Sequence, residues 1–206
     1  NDTAGNTNSV IYQVVVNKAT PPLGISGTTP INYGTTTDVF GSNCPAELSC
    51  SLNFENAIYG AGTKTFNYST AGNENYLPYS ITKDIVITKS APTLTYYINS
   101  QTNNISIEYS QQVNASAYTT AGIVNIYRNG VDKTSENGLN VSLNVGTYIY
   151  EFNVTGNENH SDAASKYMAL NVLDTVLPTI NITYPLNTTY NVDISSLNYT
   201  ASDTNL

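Results

Sequence analysis

The chain has 206 residues, 11% of them charged, and its 7 Lys+Arg against 15 Asp+Glu give a formal net charge of −8. That balance excludes a nucleic-acid binder, which needs basic patches for phosphates, and no apolar run approaches the roughly 18 residues of a membrane span. Helix formers are scarce while Thr, Val, Ile and 17 Tyr abound, which excludes a helical fold and a disordered chain and leaves an all-β protein rich in Asn and Thr.

In chain order, residues 1–19 come first. Asn1–Ser9 (NDTAGNTNS) is a turn-rich stretch, and Val10–Asn17 (VIYQVVVN) is a run of β-formers. Residues 20–90 hold the next elements. They include Leu52–Phe54, the glycines Gly60 and Gly62, the strand-like Gly62–Thr70 and a β-rich run at Ile81–Lys89. Residues 91–174 follow a longer version of the same plan. Thr93–Ile98 and Ile105–Tyr109 open it, and Ile123–Arg128 is a central strand. Asn129-Gly130 after that strand is the strongest short hairpin signal, and Asn137-Gly138 is a second. Leu139–Leu143 and Thr147–Val154 are strands, the latter with Tyr148, Tyr150 and Phe152 on one face and Ile149 and Glu151 on the other. In the last strand Tyr167, Ala169 and Asn171 alternate with Met168, Leu170 and Val172. Residues 175–206 close the chain with two further β-rich runs.

A repeat fixes this division. Gly62–Tyr76 (GTKTFNYSTAGNENY) and Gly146–His160 (GTYIYEFNVTGNENH) align without a gap, and Gly-Asn-x-Asn recurs at Gly5–Asn8, Gly72–Asn75 and Gly156–Asn159. Each copy is followed by a β-rich run and then proline, at Pro21-Pro22, Pro92 and Pro178. The spacing predicts tandem Ig-like β-sandwiches: a short one over 20–90 and a longer one over 91–174. Residues 1–19 read as the last strands of a preceding domain and 175–206 as the first strands of a following one, so that the chain reads as a window on a longer array. The shorter domain lacks a counterpart of roughly 14 residues around Ile126–Leu139, which predicts a lost hairpin there. The prolines at the junctions predict linkers that resist folding back.

The wording Tyr-Arg-Asn-Gly at 127–130, Gly-Thr-Tyr-x-Tyr at 146–150 and Asn-x-Thr-Gly-Asn-Glu-Asn at 153–159 resembles Ig-like repeats of very large archaeal cell-surface proteins, especially those of small-genome lineages. Asn1–Asn8 and Pro178–Leu206 resemble the closing and opening strands of a companion repeat in such proteins. The resemblance implies a cell-surface stalk, filament or fibre, with an adhesin or carbohydrate-binding module for cell–cell attachment as the alternative. The partners it implies are neighbouring copies or domains of the same protein, and a host or neighbouring cell surface. Its motifs are turn and strand signatures and specify no ligand. The short first domain departs from the pattern.

Candidate chemistry is sparse. Asn-x-Ser/Thr occurs at Asn1, Asn67, Asn104, Asn114, Asn140, Asn153, Asn159, Asn181, Asn187 and Asn198, against the roughly seven sites that abundance alone produces. These sites predict N-linked glycans, foremost at Asn104, Asn140, Asn187 and Asn198. Cys44 and Cys50 are the only cysteines. An even count in an extracellular-looking chain favours a disulfide over a zinc half-site or redox pair, since the spacing is not Cys-x-x-Cys and there is one His. His160 stands in a loop whose counterpart is Tyr76, so no imidazole is needed there. The Gly-Asn-x-Asn loops, with Glu74 and Glu158, offer too few carboxylates for calcium and read as tight turns. Lys64 or Lys166 could form an amide cross-link to Asn if buried beside an acid. Tyr96, Tyr97, Tyr109, Tyr118 and Tyr127 could offer a sugar-stacking platform, although core packing accounts for most such rings. No triad, carboxylate pair, metal site or cofactor motif points to an enzyme.

Overall fold

The computed structural model describes residues 3–5 and 9–203. The chain divides into two compact units, Asn1–Ser90 and Ala91–Leu206.

The second unit shows the plan in full. Its strands are β7 (Leu94–Ile98), β8 (Ile105–Glu108), β9 (Gln112–Thr119), β10 (Ile123–Arg128), β11 (Val131–Asp132), β12 (Asn140–Ser142), β13 (Gly146–Thr155) and β14 (Ala163–Leu173). A five-stranded sheet in the order β11-β10-β13-β14-β8 and a three-stranded sheet β12-β9-β7 make up the sandwich. The alternation seen in the sequence decides which side chains go inside, because successive residues of a strand face opposite ways. Tyr150, Phe152, Met168, Leu170 and Val172 line the inner face of one sheet, and Ile98, Val113, Ala115 and Ala117 that of the other. Tyr96 stacks on Phe152 at 5.2 Å between ring centroids. Tyr148, at the start of β13, donates its hydroxyl to the Asn144 carbonyl at 2.9 Å, the tyrosine corner of Ig-type sandwiches.

Asn129 and Gly130 both adopt positive φ, 51° and 76°, and turn β10 into β11 as a primed hairpin turn requires. Asn137-Gly138 behaves differently from the predicted second hairpin. Leu139 N–H donates to the Glu136 carbonyl at 2.9 Å, with Asn137 at φ −55° and ψ 116° and Gly138 at φ 74°. This is a type II turn. It carries the chain from the five-stranded sheet to the three-stranded one, so it links layers instead of neighbouring strands. Beside it, Arg128 Nη1 pairs with Glu136 Oε2 at 2.7 Å and Lys133 Nζ with Glu136 Oε1 at 3.1 Å.

The first unit is a reduced copy: β1 (Gly24–Ser26), β2 (Ile31–Asn32), β3 (Phe40–Ser42), β4 (Cys50–Leu52), β5 (Gly62–Thr70) and β6 (Tyr79–Thr88). Its sheets are β2-β6-β5-β4 and the pair β1-β3. Val39, Phe66, Ile85 and Ile87 form its buried core. After β4 the chain passes through Asn53–Ala61 to β5, with no counterpart of β11 or β12. The lost segment thus removes a strand from each sheet.

In both units the second strand runs parallel to the last strand and bonds to it. Ile31 and Asn32 of β2 face Ile87 and Thr88 of β6, and Ile105–Glu108 of β8 face Leu170–Leu173 of β14.

The terminal segments differ from each other. Residues 179–202 form an antiparallel pair, β15 (Thr179–Tyr184) with β16 (Asn198–Ser202). Val10–Asn17, expected as a strand, forms none. Its apolar side chains are exposed, Ile11 to 92% and Val16 to 87%. A strand exists by pairing, and no other described segment pairs with this one. Ordered contact begins at its end. Lys18 Nζ donates to the Asn73 carbonyl at 2.7 Å, and Ala19 bridges Tyr76 in parallel.

Candidate functional surfaces

The structure joins Cys44 and Cys50 by a disulfide, with S–S 2.01 Å and Cα atoms 6.2 Å apart. Cys44 follows β3 and Cys50 opens β4, so the bond closes the loop leading into the edge strand of the four-stranded sheet. Closing so short a loop stabilises by about 2 kcal/mol.

The Gly-Asn-x-Asn loops are turns built from their own side chains. Asn73 Oδ1 accepts from the backbone N–H of Asn75 at 2.8 Å and of Tyr76 at 2.9 Å. Asn157 Oδ1 accepts from Asn159 and His160, both at 2.9 Å. Glycine is required at each by close approach: a Cβ would stand 2.5 Å from the Tyr76 carbonyl oxygen at Gly72 and 2.3 Å from that of His160 at Gly156. The Asn side-chain oxygens are therefore spent on the backbone. His160 Nδ1 is 3.0 Å from Asn157 Oδ1. The third motif, at Gly5–Asn8, extends outside the described residues. Among the described residues no group of three or more His, Cys, Asp and Glu gathers as a metal ligand set.

Lys64 does not sit in the cross-linking environment considered for it. Its Nζ lies 3.3 Å from the centroid of the Phe54 ring and 4.6 Å from that of Tyr59, a cation–π arrangement. Lys166 is exposed.

The sequon asparagines fall into two groups, decided by Nδ2, the atom that carries an N-glycan. Asn114 Nδ2 donates to the Gly138 carbonyl at 2.8 Å and to Asn140 Oδ1 at 3.1 Å. Asn153 Nδ2 donates to Glu151 and Ser165. Asn67 is half-buried, and its Oδ1 is buried without a partner. Asn159 is half-buried within its turn. Asn104 and Asn140 are exposed and engage their oxygens: Asn104 Oδ1 accepts from Ala169 N–H at 2.8 Å, and Asn140 Oδ1 from Asn114. Asn181, Asn187 and Asn198 are exposed. Asn1 lies outside the described residues.

The five tyrosines named as a platform do not form one. Tyr96 is stacked against Phe152, and Tyr109 packs on the core. Tyr97 and Tyr118 belong to the three-stranded sheet and Tyr127 to the five-stranded one. The register instead places another set of residues in one row across the outer face of the five-stranded sheet. Asp132 faces Tyr127, Tyr127 faces Glu151, and Glu151 faces Tyr167. Tyr167 is 62% exposed.

Behind that row runs a polar network. Ser165 Oγ donates to Glu151 Oε1 at 2.5 Å. Asn125 Nδ2 donates to Asn153 Oδ1 and to Thr155 Oγ1, both at 2.9 Å. A shallow recess of about 370 Å³ opens there, lined in part by Tyr127, Asn125, Asn153, Asp162 and Ser165. The alternation in the sequence put Glu151 opposite in face to Tyr150 and Phe152, and Tyr167 opposite in face to Met168, but did not bring the two together. Strand alternation marks each face, whereas the pairing of β10 with β13 and of β13 with β14 supplies the row.

The chain matches no protein-family model and no curated protein. Among solved structures it is similar to the fibronectin(III)-like modules of CbhA from Clostridium thermocellum. Sequence identity is 7%, the match covers 73% of this chain and 95% of that one, and the TM-score is 0.31. Sheet order and core placement make the chain an all-β protein of Ig-like sandwich units.

Proposed function

We propose that this chain is an extracellular structural segment of a cell-surface stalk, filament or fibre, a spacer that carries N-linked glycans and transmits tension. The observation that supports this reading is the parallel pairing of the second and last strands in both units. Once the first strand, β1 or β7, has come away from its antiparallel neighbour, pulling on the two ends of such a unit slides the paired strands along each other. The ladder bonds are then loaded together, whereas peeling an antiparallel hairpin from its open end breaks them one at a time. The disulfide fits an oxidising compartment. Exposed sequons at Asn104, Asn140, Asn181, Asn187 and Asn198 would add solvation to a surface with few charges. Neighbouring copies or domains of the same protein are the partners this role requires.

The ladder lengths give the test. Four residue pairs join β8 to β14, and two join β2 to β6. Stretching single molecules of the whole chain from its ends should give two unfolding events, with the second unit yielding at the higher force. A first unit at least as strong as the second, or events at forces no higher than those of a peeled hairpin, would overturn the tensile reading. The outer face of the second unit favours a second role, attachment to saccharides.

A further inference from the structure

We infer that the outer face of the β11-β10-β13-β14-β8 sheet is a binding site for a neutral saccharide chain. This goes beyond the spacer role and does not depend on it. Adjacent strands stand about 4.8 Å apart, so Tyr127 and Tyr167 flank the Glu151 carboxylate across about 10 Å, the width of one or two sugar rings. A pyranose offers apolar C–H faces and a rim of hydroxyls. The amphipathic rings of Tyr127 and Tyr167 match the faces. The Glu151 carboxylate and the Asn125 side-chain carbonyl match the rim, with Asn153 holding both in place, and hydroxyl-to-carboxylate bonds are the stronger kind. The shallow recess beside the row, lined by Tyr127 and by polar groups of Asn125 and Asp162, adds a concave shelf with an aromatic edge, a feature of small-ligand sites.

The fold itself does not require this row, and the first unit serves as an internal control. Aligned without a gap, the two β-strands share their core aromatics, Phe66 with Tyr150 and Tyr68 with Phe152. All four are buried. On the outer face, Asn67 stands where Glu151 does, and its partner on β6 is Thr82, not a tyrosine. The aromatic–carboxylate–aromatic row thus belongs to the second unit alone of the two, and Tyr167 holds its ring in water without a core to pack on. The charge of the face selects the ligand. Asp132, Glu151 and Asp162 stand along the row and Glu108 lies on the same face at the β8 edge, so uronic and sialic acids are repelled. Asn153 is also a sequon, but its Nδ2 is engaged in the network, so the residue serves the face and not a glycan.

Isotope-labelled full chain should be titrated with β-1,4-linked hexaoses of glucose, mannose and N-acetylglucosamine, and with an oligogalacturonate as the acidic probe, to millimolar concentration. At least one neutral hexaose should shift the amide resonances of Tyr127, Glu151, Asn153 and Tyr167, and the acidic probe should not. Tyr127→Ala and Tyr167→Ala should each weaken that binding about tenfold or more, while Tyr167→Phe, which keeps the ring, should bind nearly as the parent does. Glu151→Gln should weaken it without altering the dispersion of the spectrum. Failure of all three neutral hexaoses to shift these four amides would overturn the inference. So would shifts confined to another surface, or binding that survives in the Tyr127→Ala/Tyr167→Ala double variant.

Discussion

The carboxamide of Asn137 makes a two-point contact with the backbone of Ala117. Ala117 N–H donates to Asn137 Oδ1 at 2.9 Å, and Asn137 Nδ2 donates to the Ala117 carbonyl at 3.0 Å. Asn56 repeats the contact in the first unit, accepting from Val39 N–H at 2.8 Å and donating to the Val39 carbonyl at 2.9 Å. In each unit one side chain substitutes for a stretch of ladder at the third strand, within β9 in the second unit and just before β3 in the first. The contact is present in the second unit beside β12 and in the first unit, where β12 has no counterpart, so it belongs to the plan that the two units share.

Asn56→Ala and Asn137→Ala should each cost about 1 to 3 kcal/mol, because each leaves a backbone donor and a carbonyl to find other partners. The Asn56 change should be the more damaging relative to its unit, whose buried core is the smaller. Denaturant unfolding of the whole chain, followed by separate probes in each unit, reads this directly. Equal midpoints for parent and variants would show that water replaces the amide at no cost.

The disulfide should act on one unit only. Cys44→Ser with Cys50→Ser should lower the stability of the first unit by about 2 kcal/mol and leave the unfolding of the second unchanged. Thermal scans with and without a thiol reductant should reproduce the pattern in the parent protein.

Glu136 should give the second unit an acid-sensitive contribution. Burial opposes its charge, but hydrogen bonds from Lys133 and Arg128 outweigh that and hold its carboxyl below the ordinary 4.5. A carboxyl depressed by folding stabilises fully above its unfolded value, and the gain is lost as pH falls through the folded value. The stability gap between parent and Glu136→Gln should therefore be constant at neutral pH and shrink below about 4.5, as measured by urea unfolding along a pH series. A gap independent of pH would mean that packing of the side chain, not its charge, accounts for the difference.

Glycan occupancy should follow the freedom of Nδ2. Peptide-level mass spectrometry of native material should find Asn104 and Asn140 modified, along with Asn187 and Asn198, and Asn114 and Asn153 bare. Occupied Asn153 would count against both the sorting and the saccharide face, since a glycan there displaces its bonds to Glu151 and Ser165.

The sequence alone determined whatever depends on neighbours in the chain. Alternation in Thr147–Val154 and Tyr167–Val172 told which residues are buried, because a strand turns every second side chain inward whatever its partner is. Asn129-Gly130 specified its turn, because both positions need positive φ. The gapless repeat of Gly62–Tyr76 in Gly146–His160 showed one plan used twice and a shorter first copy, whereas the structure shows that the lost segment is one strand from each sheet and not the hairpin expected. Tertiary structure decided what depends on register between distant segments. It set Tyr127, Glu151 and Tyr167 in one row while taking Tyr96 into the core. It laid Lys64 across Phe54 and Tyr59, and it made Asn56 and Asn137 stand in for a stretch of ladder. It also left Val10–Val16, as β-prone as any stretch here, without a sheet. Propensity is a property of the residue, but a strand is a property of a pair, and pairing is fixed only when the chain has chosen its neighbours.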